Sequence, residues 1–401
     1  MNKYVSTSEL NDKYGVSNVT VAKWLLLAAK GEAKLKYDKV GKRIRLLNTP
    51  ENWLVLDTLG QKATTKRQKI YSSITAVDPE FYNYFSNDEL TEIVRDLEYN
   101  RNINYKFTYK GEGADYWDQF YQENDENGTY LTPRRTKESL EKYLPIMIDK
   151  MKGFDEVNIV EIGPGNAQPV ISFIKKLKAK LPLKKYIGVD ISQDLLDQAV
   201  ENLESEIDGL ECIKINRDIE RDRVDTAFSF SYSQNTSVAN IVLLLGGTIL
   251  NSYETNSILQ NIRRSLSPND ILLFSTDISA SDNNLNFEYN HSPEALVQDT
   301  WIPRMLNIDI EKCEVINEFD VKNNQKTEYI ILDKDYTINF EYGDFKRWVN
   351  LSKKDKIVLW TYSITDLENG IMLFKKAGFN LLDAITLPDK KHFMIAVQSN
   401  G

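Results

Sequence analysis

The chain is poor in the residues that metal centres and disulfide frameworks need. Its 401 residues include two cysteines, Cys212 and Cys313, and two histidines, His291 and His392, all far apart in the sequence. So few and so scattered ligands exclude a zinc motif or a disulfide framework, and we expect no metal. Long apolar runs are also missing, since the longest candidate, residues 241–250, is interrupted by two glycines. With no apolar segment near the N-terminus either, we expect a cytoplasmic protein without a membrane span.

What the chain has is length and an uneven charge. Four hundred and one residues predict two or three domains, and a hydrophobic content of 41% is enough for buried cores. The net charge is −9, yet residues 1–75 contain fourteen Lys and Arg against six Asp and Glu, a net charge of +8. This asymmetry indicates a basic N-terminal module attached to an acidic body.

The basic module has the pattern of a winged helix-turn-helix. Residues 6–9 read STSE, a capping box that begins a helix ending near Tyr14, and Gly15 separates it from a second helix capped by Ser17. A Lys- and Arg-rich hairpin at residues 39–46 and a helix from residue 50 to about 59 complete the module. Residues 1–60 resemble excisionase-like and MerR-like winged helices, which implies contact with DNA, a peptide or another subunit. The polar stretch 61–75 is predicted to be a linker.

The central motif of the chain is the segment 157–166, VNIVEIGPGN, an apolar strand that runs into a glycine turn and a helix. Glycines there allow a backbone to approach a ligand closely, as do the free amides of the helix start. One helix later, a second strand ends at Asp190, a position suited to a ribose diol. The third glycine of a dinucleotide motif is replaced by Gln168, followed by a proline. The pattern instead resembles the S-adenosylmethionine (SAM)-dependent methyltransferase fold, with Glu161, Gly163 and Gly165 in its first loop.

Three further strands continue the α/β alternation, at residues 212–215, 241–245 and 270–275. Their carboxyl ends should meet the first two at one crevice. We expect Asp218, just after the third strand, to bind the adenine amine and Ile219 to pack on the ring.

Four local patterns make the resemblance more specific. They are LGGTILN at 245–251, LLFSTD at 272–277, YLTP at 130–133 and KKAGF at 375–379. From about residue 80 to the C-terminus the chain resembles the histidine-specific methyltransferases of the ergothioneine pathway. The resemblance implies a Rossmann-like class I methyltransferase with a seven-stranded sheet, formed by residues 151–279 and 351–401. Segments 357–361 and 393–397 would be its last two strands, the second at an antiparallel edge. Residues 76–150 and 280–350 would form a helical and mixed substrate lobe.

The same resemblance implies the roles of individual side chains. Gly163, Asp190, Asp218 and Ile219 would contact SAM. Tyr109 and Asn251 would orient the amine of an amino acid, and Glu328 would bind its side chain. Tyr130 and Tyr289 would hold the carboxylate. Departures from the family occur at Leu250, Pro169 and Ile330; Ile330 replaces a small hydroxyl residue beside the acid, so the resemblance does not fix histidine as the substrate.

We therefore expect a SAM-dependent N-methyltransferase for the α-amine of an amino acid or a similar small molecule. Two alternatives stay open. One is a DNA-binding regulator that senses SAM, and the other is a methyltransferase whose winged helix docks DNA or a peptide. The sequence has no Asn/Asp-Pro-Pro-aromatic loop of the kind that stacks a flipped base, which argues against base methylation.

Overall fold

The architecture comes from a computed structural model that describes residues 3–41, 43–71, 74–126, 131–229, 236–252, 254–278 and 293–399, without the side chains of 64–71, 124–126 and 293–296. The chain divides into two compact units. The first comprises residues 1–76, 335–340 and 348–351, and the second comprises 77–334, 341–347 and 352–401. No helix in the described ranges has the length and apolar character needed to cross a membrane.

The N-terminal unit begins as its sequence predicts. Its elements are α1 (Thr7–Tyr14), α2 (Asn18–Ala29), β1 (Tyr37–Val40), β2 (Arg43–Leu46), α3 (Pro50–Tyr71) and β3 (Ile74–Ala76). The Ser6 hydroxyl accepts from the Glu9 amide at 3.1 Å, and the Glu9 carboxylate accepts from the Ser6 amide at 2.7 Å, which closes the capping box. Gly15 ends α1 at φ 62°, a left-handed conformation that favours glycine.

A buried amide joins the hairpin β1–β2 to α3. Asn52 is fully buried; its side chain accepts from the Lys36 amide and donates to the Lys36 and Leu47 carbonyls, at 2.6, 2.6 and 2.8 Å. The helix α3 ends at Tyr71 rather than near residue 59, so most of the predicted linker is helical. The segment is rich in Gln, Lys, Ala and Arg, which are good helix formers. Its polar composition is therefore compatible with a helix.

The remaining strands are β4 (Glu156–Ile162), β5 (Leu183–Asp190), β6 (Glu211–Asn216), β7 (Val238–Leu244), β8 (Ile271–Asp277), β9 (Glu314–Asp320), β10 (Gln325–Ile331), β11 (Tyr336–Tyr342), β12 (Phe345–Leu351), β13 (Lys356–Ser363), β14 (Phe379–Thr386) and β15 (His392–Ser399). Seven of them form one sheet in the order β14-β15-β8-β7-β4-β5-β6. The strands β4 to β8 are parallel, as predicted, so their carboxyl ends share one edge.

The last two strands of this sheet differ from the prediction. The predicted strand 357–361 lies in β13, which pairs with β10 in a separate sheet of order β13-β10-β9. Segment 393–397 lies in β15, which is antiparallel as expected but pairs on both sides, with β8 and β14. The edge strand is therefore β14. Apolar alternation identified these strands, but it carries no information about which neighbour each one pairs with.

The helices of the second unit are α4 (Phe81–Tyr84), α5 (Asn87–Arg95), α6 (Glu112–Glu126), α7 (Thr132–Met151), α8 (Ile171–Lys178), α9 (Gln193–Glu206), α10 (Asp225–Ser229), α11 (Thr255–Ser265), α12 (Pro293–Met305) and α13 (Leu367–Lys376). Apolar residues of α7, α8 and α9 pack on one face of the large sheet, and those of α10, α11 and α13 pack on the other. The sheet is thus buried on both faces, which explains the continuous apolar runs of its central strands.

Candidate functional site

A pocket opens where the parallel strands end, on both sides of β4, the point at which the strand order reverses. Open α/β sheets bind ligands at this point because the loops after neighbouring strands diverge there. Residues from the loops after β4, β5, β6 and β7 line it, together with residues of α6, α7 and the 3-10 helix Tyr105–Tyr109. Of the residues predicted from the sequence, the lining includes Glu161, Gly163, Gly165, Asp190, Asp218, Ile219, Tyr109 and Asn251.

The loop after β4 takes a left-handed conformation at every second residue. Gly163, Gly165 and Ala167 have φ values of 69°, 55° and 56°. A Cβ at Gly163 would lie 2.9 Å from the Thr248 side chain, and one at Gly165 would overlap the Trp117 ring. Both glycines are therefore required by backbone conformation and by space. Ala167 adopts the same conformation without this advantage, which is typical of functional loops.

Two carboxyl groups at the strand ends are perturbed by burial. Glu161 is 3% exposed and accepts a hydrogen bond from the Tyr186 hydroxyl at 2.7 Å. Burial raises the pKa of Glu161 to about 8, with a smaller contribution from the charge of Asp190. Burial also raises the pKa of Asp190 to about 6, although its carboxylate accepts from the Ser192 amide at 2.9 Å. A cation or a hydroxyl group of a ligand, placed beside these carboxyl groups, would stabilise their ionised form.

At the end of β6, Asp218 takes part in an ion cluster. Lys106, from the 3-10 helix Tyr105–Tyr109, places its ammonium 2.7 Å from Asp218 Oδ2 and 2.9 Å from Glu92 Oε1. Lys106 is 9% exposed and also lines the pocket. Ile219 follows Asp218 and adds an apolar surface to the lining. This end of the pocket therefore combines a fixed carboxylate with an apolar side chain.

Aromatic rings connect the two residues predicted to orient an amine. Tyr109 packs edge-on against Tyr105, with 5.2 Å between ring centroids, and Tyr105 lies 6.1 Å from Trp360. The Trp360 indole N–H donates to Asn251 Oδ1 at 3.0 Å. Because that bond fixes the amide, Asn251 presents one orientation to the pocket.

Glu328 is brought near this group without lining the pocket. It is fully buried in β10, and its cross-strand partner in β13 is Trp360. Glu328 is thus one strand away from the indole that contacts Asn251, but it is not among the described lining residues. Tyr130 and Tyr289, predicted to bind a carboxylate, lie outside the residues that the structure describes.

Residues of the site that were not predicted from the sequence include Trp117, Lys106 and Trp360. Trp117 belongs to an aromatic run at residues 116–121, and its ring lies against Gly165. Lys106 and Trp360 contact residues more than 100 positions away in the chain. Only the composition of the aromatic run gave a signal for the first, and no local pattern gave one for the other two.

The lining contains many side chains that can position a ligand. Among the described lining residues there is neither a cysteine nor a histidine, and those with polar side chains are carboxylates, amides, hydroxyls and two cations. The described residues also contain no group of three or more His, Cys, Asp or Glu side chains that could hold a metal ion. What the lining offers is hydrogen-bond acceptors beside apolar and aromatic surfaces.

Comparison with known proteins identifies a family whose sequence model matches this chain. The sequence model of a family described as histidine-specific, SAM-dependent methyltransferases matches residues 89–398. No curated protein matches the chain. A solved S-adenosylmethionine-dependent methyltransferase from Clostridium acetobutylicum ATCC 824 is 13% identical over 69% of this chain and 99% of its own, with a TM-score of 0.37. Magnesium protoporphyrin IX methyltransferase from Synechocystis PCC 6803, with bound SAH, is 9% identical over 78% of this chain and 100% of its own, with a TM-score of 0.38.

Proposed function

This chain belongs to the histidine-specific, SAM-dependent methyltransferase family, and we propose that it methylates the α-amine of a free amino acid or an amino-acid-like molecule. The observation that carries the proposal is the composition of the pocket. The cofactor residues predicted after β4, β5 and β6 line the same cavity as Tyr109 and Asn251. A donor site and an amine site that share one cavity are what a methyl transfer requires.

The residues at the strand ends fit the cofactor. In this proposal Asp190 holds the ribose hydroxyls, while Asp218 and Ile219 hold the adenine. Glu161 and the loop 163–167 accommodate the methionine part, whose ammonium suits a buried carboxylate. Glu161 and Asp190 each have acceptor capacity beyond their present hydrogen bonds.

The amino-acid part of the proposal rests on Tyr109 and Asn251. Both accept hydrogen bonds from the amine N–H groups, which leaves the nitrogen lone pair directed at the methyl donor. Asn251 Oδ1 has a second lone pair besides the one that accepts from Trp360. Tyr130 and Tyr289 take the substrate carboxylate, and Glu328 contributes to the choice of side chain.

When bound, the cofactor would supply an electrophilic methyl group to the amine lone pair; the electrons of the broken S–CH₃ bond would stay on sulfur, and the new ammonium would lose a proton to solvent. The protein contributes position and exclusion of water, effects worth up to roughly 7–11 kcal/mol in favourable systems. No covalent enzyme intermediate is needed. This agrees with a described lining that has no cysteine or histidine.

The test is a screen of free L-amino acids and small amines for SAM-dependent release of SAH. We expect turnover with at least one α-amino acid and none with its α-hydroxy analogue, which lacks the nucleophile. Histidine is one of the amino acids in the screen. Ile330 and the buried Glu328 do not fix which amino acid is preferred, so the screen has to identify it. Release of SAH with a protein or DNA substrate and with no free amino acid would contradict the proposal.

A second proposal concerns the N-terminal unit, which we infer to be a winged helix that contacts a polyanion such as duplex DNA. Its helix-turn-helix is followed by a hairpin on which Lys39, Arg43 and Arg45 are exposed. The second helix, α2, adds the exposed Lys23. Cations on a hairpin beside an exposed helix match the way winged helices meet a phosphate backbone.

Binding of a mixed-sequence DNA duplex by the full-length protein tests this second proposal. We expect the affinity to fall steeply with salt, and to be lost when Lys39, Arg43 and Arg45 are all replaced by alanine. The triple variant should keep its methyltransferase activity. A variant with the three substitutions that still binds the duplex as the wild type does would contradict the assignment.

A further inference from the structure

An ion cluster of five side chains connects the substrate side of the pocket to the loop after β6. Its members are Lys106, Arg221, Glu92, Asp218 and Glu220. The Lys106 ammonium lies 2.9, 2.7 and 3.4 Å from the carboxylates of Glu92, Asp218 and Glu220. Arg221 approaches Glu92 at 2.7 Å. Lys106 is thus the centre of the cluster, at 9% exposure, and it is the member that touches all three acids.

The cluster fixes Asp218 through both carboxylate oxygens. Oδ2 accepts from Lys106 at 2.7 Å, and Oδ1 accepts from the Glu220 amide at 2.9 Å. Each oxygen keeps a second acceptor site. Asp218 also lines the pocket, so its remaining acceptor capacity is available to a ligand while its rotamer is held by the protein.

Lys106 also places a positive charge directly beside Asp218. Burial lowers the pKa of Lys106, but the carboxylates of Asp218 and Glu92 outweigh this effect and raise it above its ordinary value, so Lys106 stays charged. Without Lys106, three carboxylates would share one cation, Arg221. Like charges at this spacing repel, so the Asp218 carboxylate would no longer be held in one rotamer.

We propose that Lys106 is a positioning residue for cofactor recognition, which holds the Asp218 carboxylate fixed so that it accepts the exocyclic N–H of adenine. The inference rests on the proposed cofactor site and extends it by naming what orients its adenine-binding acid. Since Lys106 belongs to the same 3-10 helix as Tyr109, the helix that carries an amine-orienting residue also sets the adenine contact.

Two ligands distinguish a loss of Asp218 orientation from a general loss of protein stability. SAH carries the adenine amine, whereas S-inosyl-L-homocysteine carries an oxygen at that position and is otherwise the same. An acceptor held opposite this position favours SAH and repels the oxygen. The ratio of the two dissociation constants therefore reports whether the Asp218 carboxylate is held in place. A loosely folded protein would instead bind both ligands more weakly by the same factor.

The test variants are Lys106→Met and the charge-balanced double variant Lys106→Met/Glu92→Gln, which removes one cation and one anion and avoids leaving an excess buried charge. Both are measured by calorimetry against wild type. Arg221→Gln is the matched control, because Arg221 belongs to the same cluster but its side chain contacts Glu92 rather than Asp218. Glu92→Gln alone controls for the second substitution.

We expect wild type to prefer SAH, and both Lys106 variants to lose at least about tenfold of that preference, the size of one charged hydrogen bond. Arg221→Gln and Glu92→Gln should keep it within about twofold. An unchanged ratio in the double variant, or an equal loss in Arg221→Gln, would overturn the role of Lys106 and leave the cofactor site intact. Failure of wild type to bind SAH would instead refute the cofactor site and this inference together.

Discussion

The buried Glu161 should make cofactor binding depend on pH in a way that one substitution removes. Its carboxyl group lies at the end of β4, lines the pocket and is 3% exposed. Burial raises its pKa to about 8, so the empty site holds mostly the neutral acid at pH 7. If the ammonium of the bound cofactor requires the carboxylate, then binding must be accompanied by loss of this proton.

The size of the effect follows from the pKa. At pH 7, one unit below a pKa of about 8, ionising Glu161 costs about 1.4 kcal/mol, which is roughly a tenfold loss of affinity. The ionised form becomes dominant as the pH rises through the pKa. The affinity for SAH should therefore rise about tenfold per pH unit up to pH 8 and then level off. Asp190, with a pKa of about 6, is mostly ionised over the upper part of this range.

The assay is calorimetric titration of SAH into wild type and Glu161→Gln between about pH 6.5 and pH 9. The amine of the ligand titrates identically in both experiments, so the difference between the two profiles isolates Glu161. We expect the affinity for SAH to rise with pH in wild type but not in the variant. Release of the Glu161 proton on binding should be seen only in wild type. If the affinity for SAH has the same pH dependence in both proteins, Glu161 does not ionise on cofactor binding.

The same group affects the stability of the empty protein, with a definite sign. Its folded-state pKa of about 8 lies above its ordinary value of 4.5, so the folded state binds this proton more tightly than the unfolded chain does. The stabilisation from this group is complete below pH 4.5 and is lost as the pH rises to about 8. Chemical denaturation should show this decline in wild type and a smaller decline in Glu161→Gln.

Three further predictions concern single residues. Gly165→Ala places a methyl group against Trp117 at a φ of 55°, so we expect at least a tenfold weaker affinity for SAH by calorimetry. Asn251→Ala should lower kcat/KM for the amino acid by at least about tenfold, while the dissociation constant of SAH stays unchanged. Asn52→Ala removes three buried hydrogen bonds in the N-terminal unit, so its unfolding free energy should fall by about 2–3 kcal/mol in denaturant titration, while turnover of the methyl donor should not change.

Much of this architecture could be predicted because its causes are local. The capping box at Ser6 and Glu9, the left-handed Gly15 and the glycine loop after β4 all follow from residues a few positions apart. The parallel core followed from apolar runs separated by helices. Eight of the predicted site residues line one pocket, although the choice of Tyr109 and Asn251 came from the family resemblance and not from a local pattern.

The features that could not be predicted depend on distant partners. The strand β13 was recognised, but its pairing with β10 instead of the large sheet is a choice between neighbours that its own sequence does not encode. The contact of Lys106 with Asp218 spans 112 positions, and that of Trp360 with Asn251 spans 109. An isolated lysine or tryptophan in the sequence gives no indication of such a partner.

In the proposed function, the pocket brings the methyl donor to the α-amine of an amino acid. Tandem mass spectrometry of the product, made with SAM carrying a labelled methyl group and the best amino acid from the screen, tests it most directly. We expect one to three labelled methyl units, all on the α-nitrogen. A label on the side chain, on the carboxylate, or only on a protein or DNA molecule would contradict it.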